Sequence, residues 1–489
     1  MTVEVRTLEL PEPLLEFGGR ELHTDPKRGL QESGPFSLRY KSQPAVRLGI
    51  VGPEDAVTEA LRWFERTQTR LPTQMKNRQR YPDWPGFERV FQTPLELDQR
   101  WVRPISGIDL QRALLETGRS RFDTIVRLYT EGVGLLAERE QGPNVIVCAV
   151  SDEILDTAAT LDQTGQRIGH GRPVDPRQLP LSFDFATEQS GDEPLHRDLR
   201  RALKARVMLL PRHVPTQLVT RHLFRDDAGG DDPAARAWSL SVGLYYKGRG
   251  IPWRLAHVAP HVCFVGISFH RTTSHTRDVT YASLAQAFST EIEGFVLRGS
   301  EPVLPREDRR IQLSREQAFD LGQQILREYR AHAERLPVRI TLHKTTLFSA
   351  EERDGFTAAL AEIPVLEMLT LSASNYRLLT PWAYPPKRGT LFTINRQTNL
   401  LYTTGLYRPW DTYPGPHIPS PIEVVAPTLD PDEIRRVSEE TLGLTKMNWN
   451  SASIGGRDPI TLRMAYEVGP IMAELPADAI PERSYRYYM

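Results

Sequence analysis

Cysteine is almost missing from this 489-residue chain. The two that occur, Cys148 and Cys263, each lie inside an apolar run. Two distant cysteines without ligand spacing make neither a disulfide framework nor a zinc site, so both are expected as small buried hydrophobes. Long hydrophobic runs are missing too. The longest, 144 to 150 and 262 to 269, fall far short of the roughly 20 apolar residues that cross a bilayer. Met1 to Leu10 carries charge every few residues and has no apolar signal stretch, so a cytoplasmic protein is the expectation. Charge of one sign is absent: 61 Lys and Arg stand against 62 Asp and Glu, a net charge of −1. Any nucleic-acid function must therefore rest on a local basic patch.

What is present reads as two α/β domains, because 489 residues exceed what one core usually supports. Turn chemistry fills the first forty residues (Gly18-Gly19, Asp25-Pro26, Gly29, Gly34-Pro35), giving an extended lead-in with hairpin-like turns. Val46 to Val51 and Asn144 to Val150 are strand candidates. Each runs into an acidic helix start, at Pro53-Glu54-Asp55 and Ser151-Asp152-Glu153. Two strand-to-helix units predict a Rossmann-like parallel layer, although no G-x-G-x-x-G follows either strand. Residues 161 to 194 read as a loop, Pro194 to Leu210 as a helix, Thr216 to Phe224 as a strand and Pro233 to Tyr246 as a helix. The character changes at Gly248-Arg249-Gly250-Ile251-Pro252-Trp253, which sets a boundary between residues 1–250 and 251–489. Beyond it, a strand from His261 to Phe269, a segment from Ala282 to Phe288 that reads either as a strand pairing with it or as a helix, a helix from Gln317 to Arg335 and a strand from Val338 to Leu342 predict a mixed-sheet domain.

On the 194 to 210 helix, His196, Arg200 and Lys204 stand at i, i+4 and i+8 and share one face. Three donors in line can grip a terminal phosphate through charge-assisted hydrogen bonds. Val214-Pro215-Thr216-Gln217 and Tyr245-Tyr246-Lys247-Gly248-Arg249-Gly250-Ile251-Pro252-Trp253 follow. Together these segments resemble the MID domain of Argonaute proteins. The resemblance implies that His196, Arg200 or Lys204, with Thr216, Gln217 and Lys247, binds the 5′ phosphate of a guide strand. It also implies a magnesium ion at that phosphate, held by Gln217 and the carboxylate of Met489.

Gly266-Ile267-Ser268 resembles the apolar-Gly-Ile-Asp strand of an RNase H-like PIWI domain, with Ser268 at the aspartate. Two-metal cleavage needs several carboxylates around ions about 4 Å apart. Where a second aspartate is expected, the chain reads His343-Lys344-Thr345-Thr346, and Met447-Asn448-Trp449-Asn450 offers amides near the last ligand. The resemblance thus implies a PIWI domain whose catalytic positions Ser268, Lys344 and Asn448 are degenerate, and hence a chain that does not cut.

The lead-in, from Leu15 to Gly34-Pro35, is similar to that of short prokaryotic Argonautes, which lack the N and PAZ domains. That likeness implies a 5′-phosphorylated guide RNA, a DNA target and a partner carrying an APAZ domain fused to an effector, either NAD-degrading (TIR or sirtuin-like) or a nuclease, in defence against plasmids and phage. Arg212, Arg221, Arg254 and Arg271 are candidate backbone contacts. Two other readings stay open. One is an active RNase H-like nuclease using Asp278, Glu291 or Asp354; the other is a Rossmann-type small-ligand binder acting through residues 46 to 160.

Overall fold

Val46–Gly52 is a run of apolar residues broken only by Arg47, and all its other residues are buried. A strand buried on both faces belongs in the middle of a parallel sheet. It pairs in parallel with Leu95–Pro104 on one side and Val145–Val150 on the other, and Val145–Val150 pairs in parallel with Thr216–Thr220. The strand order reverses between Val46–Gly52 and Val145–Val150. Glu54 and Asp55 open the Glu54–Thr67 helix, and Asp152 and Glu153 open Asp152–Ala158, where negative charge suits the helix dipole. Gly118–Ala137, Leu199–Met208 and Pro233–Lys247 complete the helical cover.

The chain is described by a computed structural model at residues 6–39, 45–161, 197–224, 232–272, 280–289, 294–299, 303, 311–333, 335–378, 385–395, 398–413, 418–476 and 479–489. Among these residues the second half is built on a nine-stranded mixed sheet. Within it, Val262–Thr272 runs parallel to Arg339–Lys344 and antiparallel to Thr280–Ser289, and the central strand Val365–Ala373 is parallel to Arg339–Lys344. The pairing expected of the 282 to 288 segment is therefore present. Arg315–His332 and Ala350–Ala359 pack together on one face, and Ile460–Met472 lies against Val262–Thr272. Gly266 makes that last approach feasible: a Cβ there would stand 2.1 Å from Thr461 O. Among the described residues no helix is long and apolar enough to cross a membrane.

Three expectations need correction. The helix read from Pro194 is shorter, Leu199–Met208, because Asp198 caps it by accepting from Arg201 N–H at 3.1 Å. Arg197–Asp198 is a short strand on Thr160–Leu161; His196 and the expected loop from 162 to 194 lie outside the described residues. The strand read to Phe224 stops at Thr220 and turns into the 3-10 segment Arg221–Leu223. The lead-in, grouped with the first domain, also reaches the second: Pro26–Ser33 packs on Phe87–Phe91 and Ser37 bonds the Tyr245 hydroxyl, while its strands pair beyond residue 250. Arg6–Glu9 is an edge strand on Thr390–Thr393, and Leu15–Glu16 pairs with Leu22–His23 and Arg254–Leu255. It also contains a helix, Pro26–Ser33, with Asp25 as N-cap and Pro26 at its first position.

Candidate nucleic-acid interface

The Leu199–Met208 helix, the start of Thr216–Thr220 and the end of Pro233–Lys247 meet where the last residues of the chain fold back. Lys204 Nζ donates to Thr216 O at 3.1 Å, to Tyr487 O at 3.5 Å and to a main-chain oxygen of Met489. Arg200 Nη2 donates to Tyr488 O at 3.4 Å. Lys247 Nζ donates to Gln217 Oε1, while Gln217 Nε2 donates to Leu218 O at 3.0 Å. Of the residues singled out, Arg200, Lys204, Thr216, Gln217, Lys247 and Met489 thus come together.

Lys204 and Lys247 are buried, 3% and 1% exposed. Burial first, and then the charges of Lys247 and Arg200, hold Lys204 well below the usual lysine range. Burial, followed by Arg200, lowers Lys247 to about 7. Glu467 offsets this in part, but it is already engaged by Arg463 Nε at 3.3 Å and by the Tyr485 hydroxyl at 2.7 Å. Neighbouring buried cations that repel one another form a site short of negative charge, and an anion relieves all of them at once.

Magnesium prefers octahedral coordination by oxygen at short range. The oxygens here, Gln217 Oε1 and the main chain of Met489, each face an ammonium group. Among the described residues no group of three or more His, Cys, Asp or Glu side chains could hold a metal. The donor set fits magnesium only in company with the oxygens of a bound phosphate.

A second site lies in the other domain. A cavity of about 650 Å³ is lined by Ser268, His270, Lys344, Arg457, Asp458 and Tyr466, among others. Ser268 Oγ is buried with no hydrogen-bond partner among the described residues. Lys344 is 1% exposed and paired with Glu352, the third residue of the capping box that starts Ala350–Ala359. His343 beside it shares a 2.8 Å hydrogen bond with Thr461 Oγ1, and burial pushes it down to about 3, so its imidazole is neutral at pH 7. Asn448 does not join them. Its side chain accepts from Asn450 N–H at 3.1 Å, and its neighbour Trp449 packs on Tyr246 at 4.6 Å, at the junction of the domains. The carboxylate of this late region that lines the cavity is Asp458, one before the Pro459 cap of Ile460–Met472, and Arg457 Nε pairs with it at 3.1 Å. Its position at a helix start was the only signal that could have marked it.

The residues behind the other readings are placed as follows. Asp354 is exposed on Ala350–Ala359 and does not line the cavity; Asp278 and Glu291 lie outside the described residues. The crevice at the carboxyl ends of the parallel strands, about 750 Å³, is lined by Glu54, Asp55, Glu59, Asp152 and Glu153. Ligands of Rossmann-type sheets bind in such a crevice, but acids on both helix starts repel a nucleotide's phosphates. Of the backbone candidates, Arg221 is tied to Glu59 at 2.8 Å and Arg254 lies over Phe36 at 4.5 Å; the side chain of Arg271 lies outside the described residues.

No protein-family model matches the chain, and no curated protein matches it in sequence. Solved structures do match its fold. Clostridium butyricum Argonaute bound to a guide DNA and a 19-mer target DNA aligns over 98% of this chain and 54% of its own, at TM-score 0.63 and 13% identity. Drosophila Piwi aligns over 98% and 56%, at TM-score 0.57 and 15% identity. A. aeolicus Argonaute aligns over 98% and 55%, at TM-score 0.56 and 12% identity. The chain therefore spans about half the length of the proteins it matches. At these identities the likeness concerns architecture: the chain has an α/β, Argonaute-like MID–PIWI fold.

Proposed function

We propose that this chain is a guide-binding, nuclease-inactive short Argonaute that recognises a nucleic-acid target by base pairing. One observation carries the reading: the buried Lys204 and Lys247 converge with the half-buried Arg200, under-compensated, beside Gln217 and the terminal residues. A 5′-terminal phosphate, with more negative charge than an internal phosphodiester, supplies what those cations lack. Magnesium, when bound, would add positive charge at that phosphate through Gln217 and Met489. With the guide end held, pairing selects the target, and the protein tracks the duplex by its backbone.

In this reading the Ser268, Lys344 and Asp458 cavity is a relic of an RNase H-like nuclease site. A hydroxyl does not replace an anionic ligand of magnesium, and Lys344 repels the ion. Asn448 stands outside that cavity, so Asp458 takes its place as the late position. By the resemblance of the lead-in, the guide is RNA, the target DNA, and the output belongs to an APAZ-domain effector partner acting against plasmids and phage.

The test is the nucleic acid that co-purifies with the expressed chain. Short 5′-phosphorylated RNA is the expected content, and replacing Gln217 and Lys247 together should abolish its retention. Undiminished loading of that double variant rejects the site.

A further inference from the structure

The Pro233–Lys247 helix ends in a Schellman turn with an arginine in the place of the usual glycine. Arg249 N–H donates to Tyr246 O at 3.0 Å and Gly250 N–H to Tyr245 O at 2.9 Å, the two bonds that define the motif. Arg249 holds φ at +77°, in the left-handed region where a Cβ crowds the backbone. Glycines stand on either side of it and not at it. Gly250 has its own reason, since a Cβ there would come within 2.3 Å of the Tyr245 ring.

Among the described residues nothing compensates for that strain. Arg249 is exposed, and among the described residues its guanidinium makes no ion pair or hydrogen bond. It follows Lys247 by two residues, on the rim of the cationic pocket. Arg486, from the segment that folds over the pocket, is lowered by burial first, and the charge of Arg249 adds to that. A strained, unpaired arginine beside other cations is costly without a ligand, which points to an anion at the rim. The buried lysines serve one terminal group, so the rim faces what is attached to it.

We propose that Arg249 is a positioning residue that holds the second phosphate of a strand whose 5′ phosphate occupies the Lys204 and Lys247 pocket. This rests on the guide-binding reading above. A planar guanidinium suits a phosphodiester because two N–H groups meet its two free oxygens. Fixing the second phosphate sets the direction in which the strand leaves the pocket.

The experiment compares uridine 5′-monophosphate with a 5′-phosphorylated oligouridine, on the wild-type chain and on Arg249→Gly. Glycine relaxes the turn, so the variant is expected to melt at the same temperature or higher. Its affinity for the oligonucleotide should fall about tenfold, with the salt dependence reduced by about one phosphate contact. Affinity for the monophosphate should not change. Arg249→Lys should recover part of the oligonucleotide affinity. Unchanged oligonucleotide binding by Arg249→Gly overturns the proposal, as does an equal loss for both ligands, which would assign Arg249 to the terminal phosphate. If the wild type binds an unphosphorylated oligouridine as tightly as the 5′-phosphorylated one, the pocket reading itself fails.

Discussion

Lys344 Nζ lies 2.6 and 2.8 Å from the two carboxylate oxygens of Glu352, and both side chains are sealed from solvent. Glu352 also accepts the backbone N–H groups of Leu313 and Ser349, at 3.1 and 2.8 Å. A cation has therefore been built into the wall of the cavity, with its own counter-ion, which two backbone donors also hold, and the rings of Phe269 and Phe348 each 5.4 Å away. Such a lysine cannot swing aside to admit a metal without breaking a buried pair.

Lys344→Met is expected to destabilise the chain by about 3–5 kcal/mol, the usual cost of leaving one member of a buried pair alone. Glu352→Leu should cost more, because it strands two N–H groups as well as the ammonium. Urea unfolding midpoints of the two variants give the order; equal stability of either with the wild type would mean the pair is open in solution.

Ser268→Asp places one carboxylate in the cavity and, on the proposed reading, is expected to give no cleavage, since Lys344 still opposes a divalent ion. A magnesium-dependent nuclease assay on guide-loaded protein reads this directly. Detectable cutting by the single variant rejects the assignment of Lys344 as the opposing charge.

Lys247 loses its proton near pH 7 in the fold, against 10.5 in an ordinary lysine. Between those values the unfolded chain holds more protons, so stability without ligand is expected to rise with pH across that window. Phosphate binding works in the opposite direction, because it requires the charged amine. Affinity for a 5′-phosphorylated strand should weaken from pH 7 to 9, with proton uptake on binding. Calorimetry in buffers of different ionisation heat measures that uptake, and Lys247→Met should remove it; a pH-independent affinity would exclude a neutral lysine in the empty pocket.

Glu12 is the counter-ion of Lys446, at 2.5 Å, and of Arg388, at 3.2 Å. Burial lowers Lys446 to about 8, and Glu12 is the first charge that raises it. Lys446 also donates to Pro13 O and Thr24 O, so the lead-in is clamped from three points. Glu12→Gln should cost about 3 kcal/mol and free the lead-in, read as a lower unfolding midpoint and faster proteolysis before residue 30. Wild-type resistance in that variant would show that strand pairing alone holds the segment.

Much of this was legible in the residues. The strands at 46, 145, 262 and 339 announce themselves as short apolar runs, and the acids and prolines around them mark where helices begin, because burial and capping are local demands on side chains. The serine after Gly266-Ile267 and the lysine after His343 were visible as chemistry out of place. Local pattern could not give the partners. That Asp458 and not Asn448 reaches the cavity depends on how Ile460–Met472 lies across Gly266. That Arg6–Glu9 completes the second sheet depends on pairing across almost 390 positions. The cationic pocket likewise exists only because Tyr487, Tyr488 and Met489 return to residues nearly 300 positions earlier. The sequence by itself determined which segments are strands and helices and which charges they carry. Tertiary structure alone decided which of those charges are buried together, since desolvation and mutual repulsion arise only between groups that the fold brings into contact.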